Sequence, residues 1–233
     1  MDDAEYRKLY ELEYLTCAGQ IQSAAFDDPK IIEPLAKDAA RIGADLLTGR
    51  SSDEEYCSEF LRWLEKAREE VAKIPPQKVA KWNAIHAERL KDDKSLRAWG
   101  EAYRAYSPLE FFLEYGASNM LHDKIYRQAP RLKKSPVFAR MVSQIIADER
   151  WKLGRRRCLY EIAYKISVKV PTLTIDYERF TNDVYYVGAA CRLLLRRKDG
   201  RFVDLAAKIL ERQPKHHCYV YTQRYVERYK TSE

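Results

Sequence analysis

The sequence predicts an all-α protein, a helical bundle that can be built from two packed helical subdomains. Three observations lead to this prediction. Apolar residues recur at helical spacing, long runs of Val, Ile and Thr are absent, and the 233 residues include only eight glycines and nine prolines. These glycines and prolines fall between the periodic segments, where helices end. An apolar share of 46% is enough to build one large core or two small ones.

Four helices are predicted in the first 90 residues. The first runs over 3–23. The second begins at Asp28-Pro29, an N-cap followed by a proline at the first helical position, and it ends at Gly49. A capping box, Ser52-x-x-Glu55, begins the third, which two consecutive prolines end. The fourth carries the apolar residues of Val79–Leu90.

The rest of the chain is also predicted to be helical. A helix over 94–106 is followed by Ser107-Pro108-Leu109-Glu110, which combines an N-cap, a proline and a capping-box glutamate. The helix that it begins reaches about Arg127, and a basic, proline-bounded loop follows at 127–136. The last four predicted helices cover 136–169, 176–197, 201–212 and 216–230. We expect an acidic N-terminal helical region, 1–92, and a basic C-terminal helical bundle, 93–233.

The charge is sorted along the chain. Residues 1–120 contain 17 Lys and Arg against 23 Asp and Glu, a net charge of −6, whereas residues 121–233 contain 25 against 12, a net charge of +13. Such a surplus opposes the compact state unless an anionic partner neutralises it. Phosphate chains are frequent partners of basic surfaces, because each Lys or Arg that meets a phosphate releases counterions. The sequence therefore favours a nucleic-acid partner over a merely solvated basic face.

Clusters of Lys and Arg in the C-terminal half are the candidate phosphate contacts. The predicted nucleic-acid-binding residues are Arg127, Arg131, Lys133, Lys134, Arg140, Arg155, Arg156, Arg157, Arg192, Arg196, Arg197, Arg224 and Arg228. Tyr221, Tyr225 and Tyr229 repeat every four residues beside Arg224 and Arg228. Such a stripe can stack bases, but aromatic residues at helical spacing more often belong to a core or an interface, and we favour that interpretation.

Sequence motifs of enzymes are missing. The chain contains no P-loop, GxGxxG, GxSxG or HExxH pattern, and no histidine has the Glu-x-x-His spacing of a di-iron site. Neighbouring histidines such as His216-His217 point about 100° apart on a helix and rarely bind one ion together. We therefore predict no enzymatic activity, no catalytic residues, no cofactor and no metal site.

The cellular compartment is predicted from two further features. No apolar run approaches the roughly 20 residues that span a bilayer, and the acidic N-terminus lacks a signal-peptide pattern. Five widely spaced cysteines without a CxxC motif indicate a reducing environment rather than a disulfide framework. We expect a cytoplasmic protein with no membrane partner.

Segments 135–166, 175–187 and 219–229 together resemble the small subunit of type I CRISPR Cascade complexes, typified by the type I-E subunit. In that family an Arg-containing helix ends in an Ala-Asp step, an Arg-bearing helix follows, and a later helix begins with Ile/Leu-Asp-aromatic. The matching positions are Arg140, Ala147-Asp148, Arg156, Ile175-Asp176-Tyr177, Asp183, Tyr186, Arg224 and Tyr229. The resemblance covers roughly 95–233. Residues 1–90 do not match, and 199–213 looks like an insertion.

The resemblance implies a helical, non-enzymatic subunit of a ribonucleoprotein complex for antiviral defence. Its basic faces would hold the R-loop strands, while guide pairing supplies sequence specificity. The expected partners are single-stranded DNA or a guide RNA–DNA hybrid and other protein subunits, with self-association left open. Two alternatives also remain open: a helical protein–protein adaptor with charge-sorted halves, and an unrecognised helical metal-dependent enzyme.

Overall fold

A computed structural model describes most of the chain: residues 2–22, 27–89, 112–148, 150, 157–166, 184–212 and 219–230. Every regular element in these ranges is helical, and none of these residues lies in a β-strand. The prediction of an all-α fold is therefore confirmed.

Four consecutive helices form the first part: α1 (Asp3–Gln22), α2 (Pro29–Thr48), α3 (Asp53–Ala72) and α4 (Pro76–Arg89). Their ends follow the sequence signals closely. The Asp28 carboxylate accepts a hydrogen bond from the Lys30 amide at the start of α2, and Gly49 ends that helix with φ +73°. Ser52 and Glu55 form the predicted capping box at the start of α3.

The core of this part lies between α1, α2 and α3, which pack in chain order. The α3 face that meets α2 carries buried aromatic rings. Trp63 is buried, and its indole N–H donates a 2.9 Å hydrogen bond to the Leu35 carbonyl of α2. Its ring lies 5.2 Å from Phe60 and 5.9 Å from Phe112, centre to centre. Burying such large side chains supplies most of the packing energy of a core.

A composite helical stretch follows at 112–134. It consists of a π-helix, Phe112–Ala117, the short helix α5, Ser118–Asp123, a second π-helix, Lys124–Gln128, and a 3₁₀-helix, Pro130–Lys134. π-helical turns are rare and occur frequently at functional sites. The predicted helix up to Arg127 is thus present over its described part, but in an irregular form.

Five more helices complete the described part: α6 (Pro136–Ala147), α7 (Arg157–Ile166), α8 (Val184–Arg197), α9 (Val203–Arg212) and α10 (Tyr219–Lys230). The prediction of one helix over 136–169 is wrong. The backbone of Asp148 is extended, and its carboxylate accepts the amide N–H of Arg150 at 3.0 Å. This local turn competes with the helical hydrogen bonds and ends α6.

The core of the last three helices is built around Tyr225 of α10. Its ring is completely buried among α8, α9 and α10. The phenol donates a 2.8 Å hydrogen bond to the Asp199 carbonyl and accepts one of 3.2 Å from the Phe202 amide. One side chain therefore fixes the turn between α8 and α9.

The chain divides into two compact units, Met1–Met120 and Leu121–Glu233. The sequence of the first unit has a net charge of −6, and that of the second has a net charge of +13. The predicted boundary between 92 and 93 lies among residues 90–111, outside the described residues, as do the predicted helix over 94–106 and the Ser107–Glu110 capping box.

Candidate nucleic-acid interface

Tyrosine rings and cationic side chains gather on several elements of the second unit. We call this group the tyrosine–cation belt. It consists of Tyr126, Lys133, Tyr164, Lys165, Arg192, Arg196 and Tyr221. The π-helix Lys124–Gln128, the 3₁₀-helix and helices α7, α8 and α10 contribute these residues. The belt thus connects side chains that are up to 95 positions apart in the sequence.

Tyr164, near the end of α7, forms the centre of the belt. The guanidinium carbons of Arg192 and Arg196 lie 4.3 and 4.5 Å from the centre of its ring, and the Lys165 ammonium lies at 5.7 Å. Arg192 also lies 4.6 Å from the ring centre of Tyr221. Cations within about 6 Å of an aromatic face are attracted by its quadrupole.

Tyr126 lies at the other end of the belt. The ammonium groups of Lys133 and Lys165 lie 5.0 and 5.3 Å from its ring centre. His122 stacks on the same ring, with 4.1 Å between the centres. Lys165 therefore lies near both Tyr126 and Tyr164 and connects the two ends.

Arg196 has a second, structural role. Its Nη1 donates a 2.9 Å hydrogen bond to the backbone carbonyl of Tyr164. This carbonyl belongs to the last described turn of α7. The bond fixes Arg196 across the end of α7, and the guanidinium has further N–H donors for a ligand.

The positive charge of the belt affects the ionisation of the Tyr164 phenol. A hydrogen bond with Arg192 lowers the pKa of Tyr164, and the charges of Arg196 and Lys165 lower it further. The phenolate is favoured because the surroundings are strongly positive. An external anion would be favoured for the same reason.

In the part of the chain that the structure describes, the four cations of the belt have no carboxylate partners. These cations are Lys133, Lys165, Arg192 and Arg196. The first unit differs, because its Arg41 pairs with Asp45 and Glu59 at 3.3 and 3.0 Å. Like charges this close repel one another, so an anionic ligand would relieve the repulsion.

Of the thirteen predicted contact residues, the structure brings Lys133, Arg192 and Arg196 together. Six others are exposed outside the belt: Arg127, Arg131, Lys134, Arg140, Arg224 and Arg228. Arg127 has a half-buried partner, with 3.7 Å between its Nε and the Asp123 carboxylate. Arg155 and Arg156 lie outside the described residues, and only the backbone of Arg157, the first residue of α7, is described.

Arg197 differs from its neighbour Arg196. Its side chain is half-buried, and this burial lowers the pKa of its guanidinium. The arginine before it in the sequence is exposed and part of the belt. Successive residues of a helix point about 100° apart, so a run of basic residues cannot all reach one ligand.

Sequence reasoning missed Tyr126, Tyr164 and Lys165. Only a weak signal for these residues was available. Arg192 and Arg196 are one helical turn apart and share a helix face, but their spacing does not identify the element that packs against this face. Nothing in the sequence shows that α7 packs against α8 and supplies Tyr164 to that face.

The stripe of Tyr221, Tyr225 and Tyr229 belongs to the core, as favoured from the sequence. Tyr225 is buried, and the other two pack against the same apolar cluster. The Tyr229 hydroxyl is also buried and has no hydrogen-bond partner within the described structure. A Cβ atom at Gly200 would approach the Tyr229 ring to 2.7 Å, so this ring is tightly enclosed.

The first unit has a polar cleft beside the start of α3. It is lined by Asp45, Arg50, Ser51, Glu54, Glu55, Ser58, Glu59 and Arg62. Most of its carboxylates serve the fold: Asp45 and Glu59 pair with Arg41, and Glu55 completes the capping box. In the described part of the chain, no three His, Cys, Asp or Glu residues are grouped so that they could hold a metal ion.

No described helix combines the length and the apolar character needed to cross a bilayer. Comparisons of the chain with protein-family models, with curated proteins and with solved structures find no significant match. The belt and the net charge of the unit that carries it are therefore the features of the molecule that bear on function.

Proposed function

We propose that the protein is a non-enzymatic, nucleic-acid-binding subunit of a nucleoprotein complex, and that the tyrosine–cation belt contacts phosphate. The observation that carries this proposal is the group of four cations without carboxylate partners among the described residues. These cations belong to a compact unit whose sequence has a net charge of +13. Arginine is well suited to phosphate because its planar fork presents several donors at once.

The proposed ligand is a single strand or a guide RNA–DNA hybrid. Phosphate contacts position a protein on a nucleic acid but carry no sequence information. Such contacts suffice where guide pairing reads the sequence, as in an R-loop. The resemblance to the Cascade small subunit supports this form of the proposal. The proposal includes a cytoplasmic location and other protein subunits as partners.

The binding test uses the full chain and a belt-neutral variant, in which Lys133, Lys165, Arg192 and Arg196 are replaced by Gln. A control variant carries the same loss of charge on the first unit, through Gln at Arg7, Lys8, Lys30 and Lys81, all of which are exposed. Binding of a labelled single strand is measured by fluorescence anisotropy over a range of salt concentrations. Circular dichroism checks that each variant is folded.

We expect steep salt dependence for the wild-type chain, because each neutralised phosphate of a single strand contributes about −0.7 to the slope of log K against log salt. Loss of four contacts should make the slope shallower by about three units, whereas the control variant should bind like the wild type. Single Gln variants, each changing the slope by about 0.7, replace the quadruple variant if it does not fold. Salt-independent or absent binding by the wild-type chain would contradict the proposal.

The assignment to a guide-containing complex needs a separate experiment. We expect the tagged protein, purified from its native host, to carry other protein subunits and short guide-like RNA that sequencing identifies. Co-purification with proteins alone, free of nucleic acid, would favour the adaptor alternative instead.

A further inference from the structure

The tyrosines of the belt are already in contact with side chains of the same protein. Tyr164 has the Arg192 and Arg196 guanidinium groups over its ring at 4.3 and 4.5 Å. Tyr126 has a stacked histidine at 4.1 Å and the Lys133 ammonium at 5.0 Å. A base that stacked on the same face of either ring would have to displace one of these groups.

Stacking platforms in single-strand-binding proteins work differently, because there the aromatic face is open and the base covers it. The third tyrosine of the belt, Tyr221, is likewise engaged, since it packs against the apolar cluster and lies 4.6 Å from the Arg192 guanidinium. All three rings therefore have neighbours with which a stacked base would have to compete.

The rings do restrict the cations. Lys and Arg side chains lose about 2 kcal/mol of rotamer entropy when they are immobilised. A cation that already rests on an aromatic ring has lost part of this freedom before the ligand arrives. Arg196 is held further by its 2.9 Å hydrogen bond to the Tyr164 carbonyl.

We infer that Tyr126 and Tyr164 are positioning residues, which hold Lys133, Lys165, Arg192 and Arg196 ready for phosphate, and that the belt is indifferent to the bases of its ligand. This inference rests on the proposed function, because it specifies which part of a nucleic acid the belt recognises. The ligand class is then a linear phosphodiester chain, with or without bases.

The first test compares two probes on the full-length protein: an oligodeoxythymidylate, and an abasic deoxyribose-phosphate chain with the same number of phosphates. We expect equal affinities, within about threefold, and equal salt slopes. A single stacked base would contribute about 5- to 150-fold to affinity. Abasic binding that is weaker by tenfold or more would overturn the inference and leave the proposed function intact. Failure of both probes to bind would refute the proposed function itself, and the inference with it.

The second test separates the ring of Tyr164 from its hydroxyl. Tyr164→Phe keeps the ring, and Tyr164→Leu removes it while filling similar space. We expect the Leu variant to bind both probes about fivefold more weakly, corresponding to one or two lost cation–π contacts. The salt slope should be unchanged, because no charge is removed. The Phe variant keeps the ring but loses the hydrogen bond of the phenol with Arg192, so its affinity should lie between those of the Leu variant and the wild type.

Tyr10→Leu is the control, since Tyr10 is a half-buried tyrosine of the first unit. It should not change binding. If Tyr164→Leu weakens binding of the base-bearing probe alone, the ring stacks a base and the inference is wrong. If it weakens binding of neither probe, Tyr164 does not position the cations and the inference is equally wrong. Thermal unfolding of each variant accompanies the titrations, so that loss of fold is recognised.

Discussion

Tyr225 and Tyr229 lie one turn apart on α10, yet their hydroxyl groups have opposite surroundings. The Tyr225 hydroxyl bridges the Asp199 carbonyl and the Phe202 amide, whereas the buried Tyr229 hydroxyl has no partner within the described structure. A buried polar group without a partner destabilises the folded state, and a paired one does not.

We therefore expect opposite behaviour from the two Tyr→Phe variants. Tyr225→Phe leaves both backbone groups without their partner and should reduce the free energy of unfolding by about 1–3 kcal/mol. Tyr229→Phe removes an unsatisfied hydroxyl and should be neutral or slightly stabilising. Urea denaturation followed by circular dichroism measures both values, and equal effects of the two variants would contradict the assigned hydrogen bonds.

The same phenol makes stability depend on alkaline pH. Burial raises the pKa of Tyr225 to about 12 in the folded protein, compared with about 10 for an unfolded tyrosine. Because the folded pKa is the higher one, the stabilisation is complete below about pH 10 and is lost as the pH rises towards 12. The difference in unfolding free energy between wild type and Tyr225→Phe should therefore shrink over this range. A difference that stays constant up to about pH 12 would show that Tyr225 does not titrate in this way.

At the scale of elements, helix ends were the most predictable features. The capping residues of α2 and α3 act through neighbours no more than a few positions away, so their roles can be recognised in the sequence. These residues are Asp28, Gly49, Ser52 and Glu55. The early end of α6 could not be recognised, because Asp148 competes with a helix that the surrounding apolar pattern would otherwise continue.

Two glycines provide a matched test at this scale. Gly49 ends α2 with φ +73°, a conformation that costs other residues about 1–2 kcal/mol. Gly19 lies inside α1, and a Cβ atom there would meet nothing within 4 Å. We expect Gly49→Ala to destabilise the protein by about 1 kcal/mol and Gly19→Ala to stabilise it by up to about 1 kcal/mol. Denaturant unfolding checks both, and a stabilising Gly49→Ala would contradict the cap geometry.

At the scale of the whole molecule, the charge of the sequence and the division of the fold agree. The unit Leu121–Glu233 has a net charge of +13, whereas the unit Met1–Met120 has a net charge of −6. The charge count predicts a basic face, and three of the thirteen predicted contacts belong to the belt. The count could not distinguish Arg196, which rests on Tyr164, from the half-buried Arg197.

Ligand binding should stabilise the full chain through mass action. At a free single-strand concentration of about 100 times Kd, the folded state gains about 2.7 kcal/mol. For a cooperative unit of roughly 100 residues this raises the unfolding temperature by about 10 °C. Calorimetry of the wild type should show this increase, and high salt should abolish it. An equal increase in the belt-neutral variant would indicate a binding surface elsewhere on the molecule.

The sequence by itself determined the all-α class, most helix ends and the separation of charge, because these depend on composition and on interactions between residues close in the chain. Only the tertiary structure decided which cations gather around which rings. Tyr126, Tyr164 and Arg192 belong to different elements, and they meet only because those elements pack together. Packing of this kind depends on the shapes of whole helix faces, whereas a sequence pattern shows only the spacing of the apolar residues along each helix.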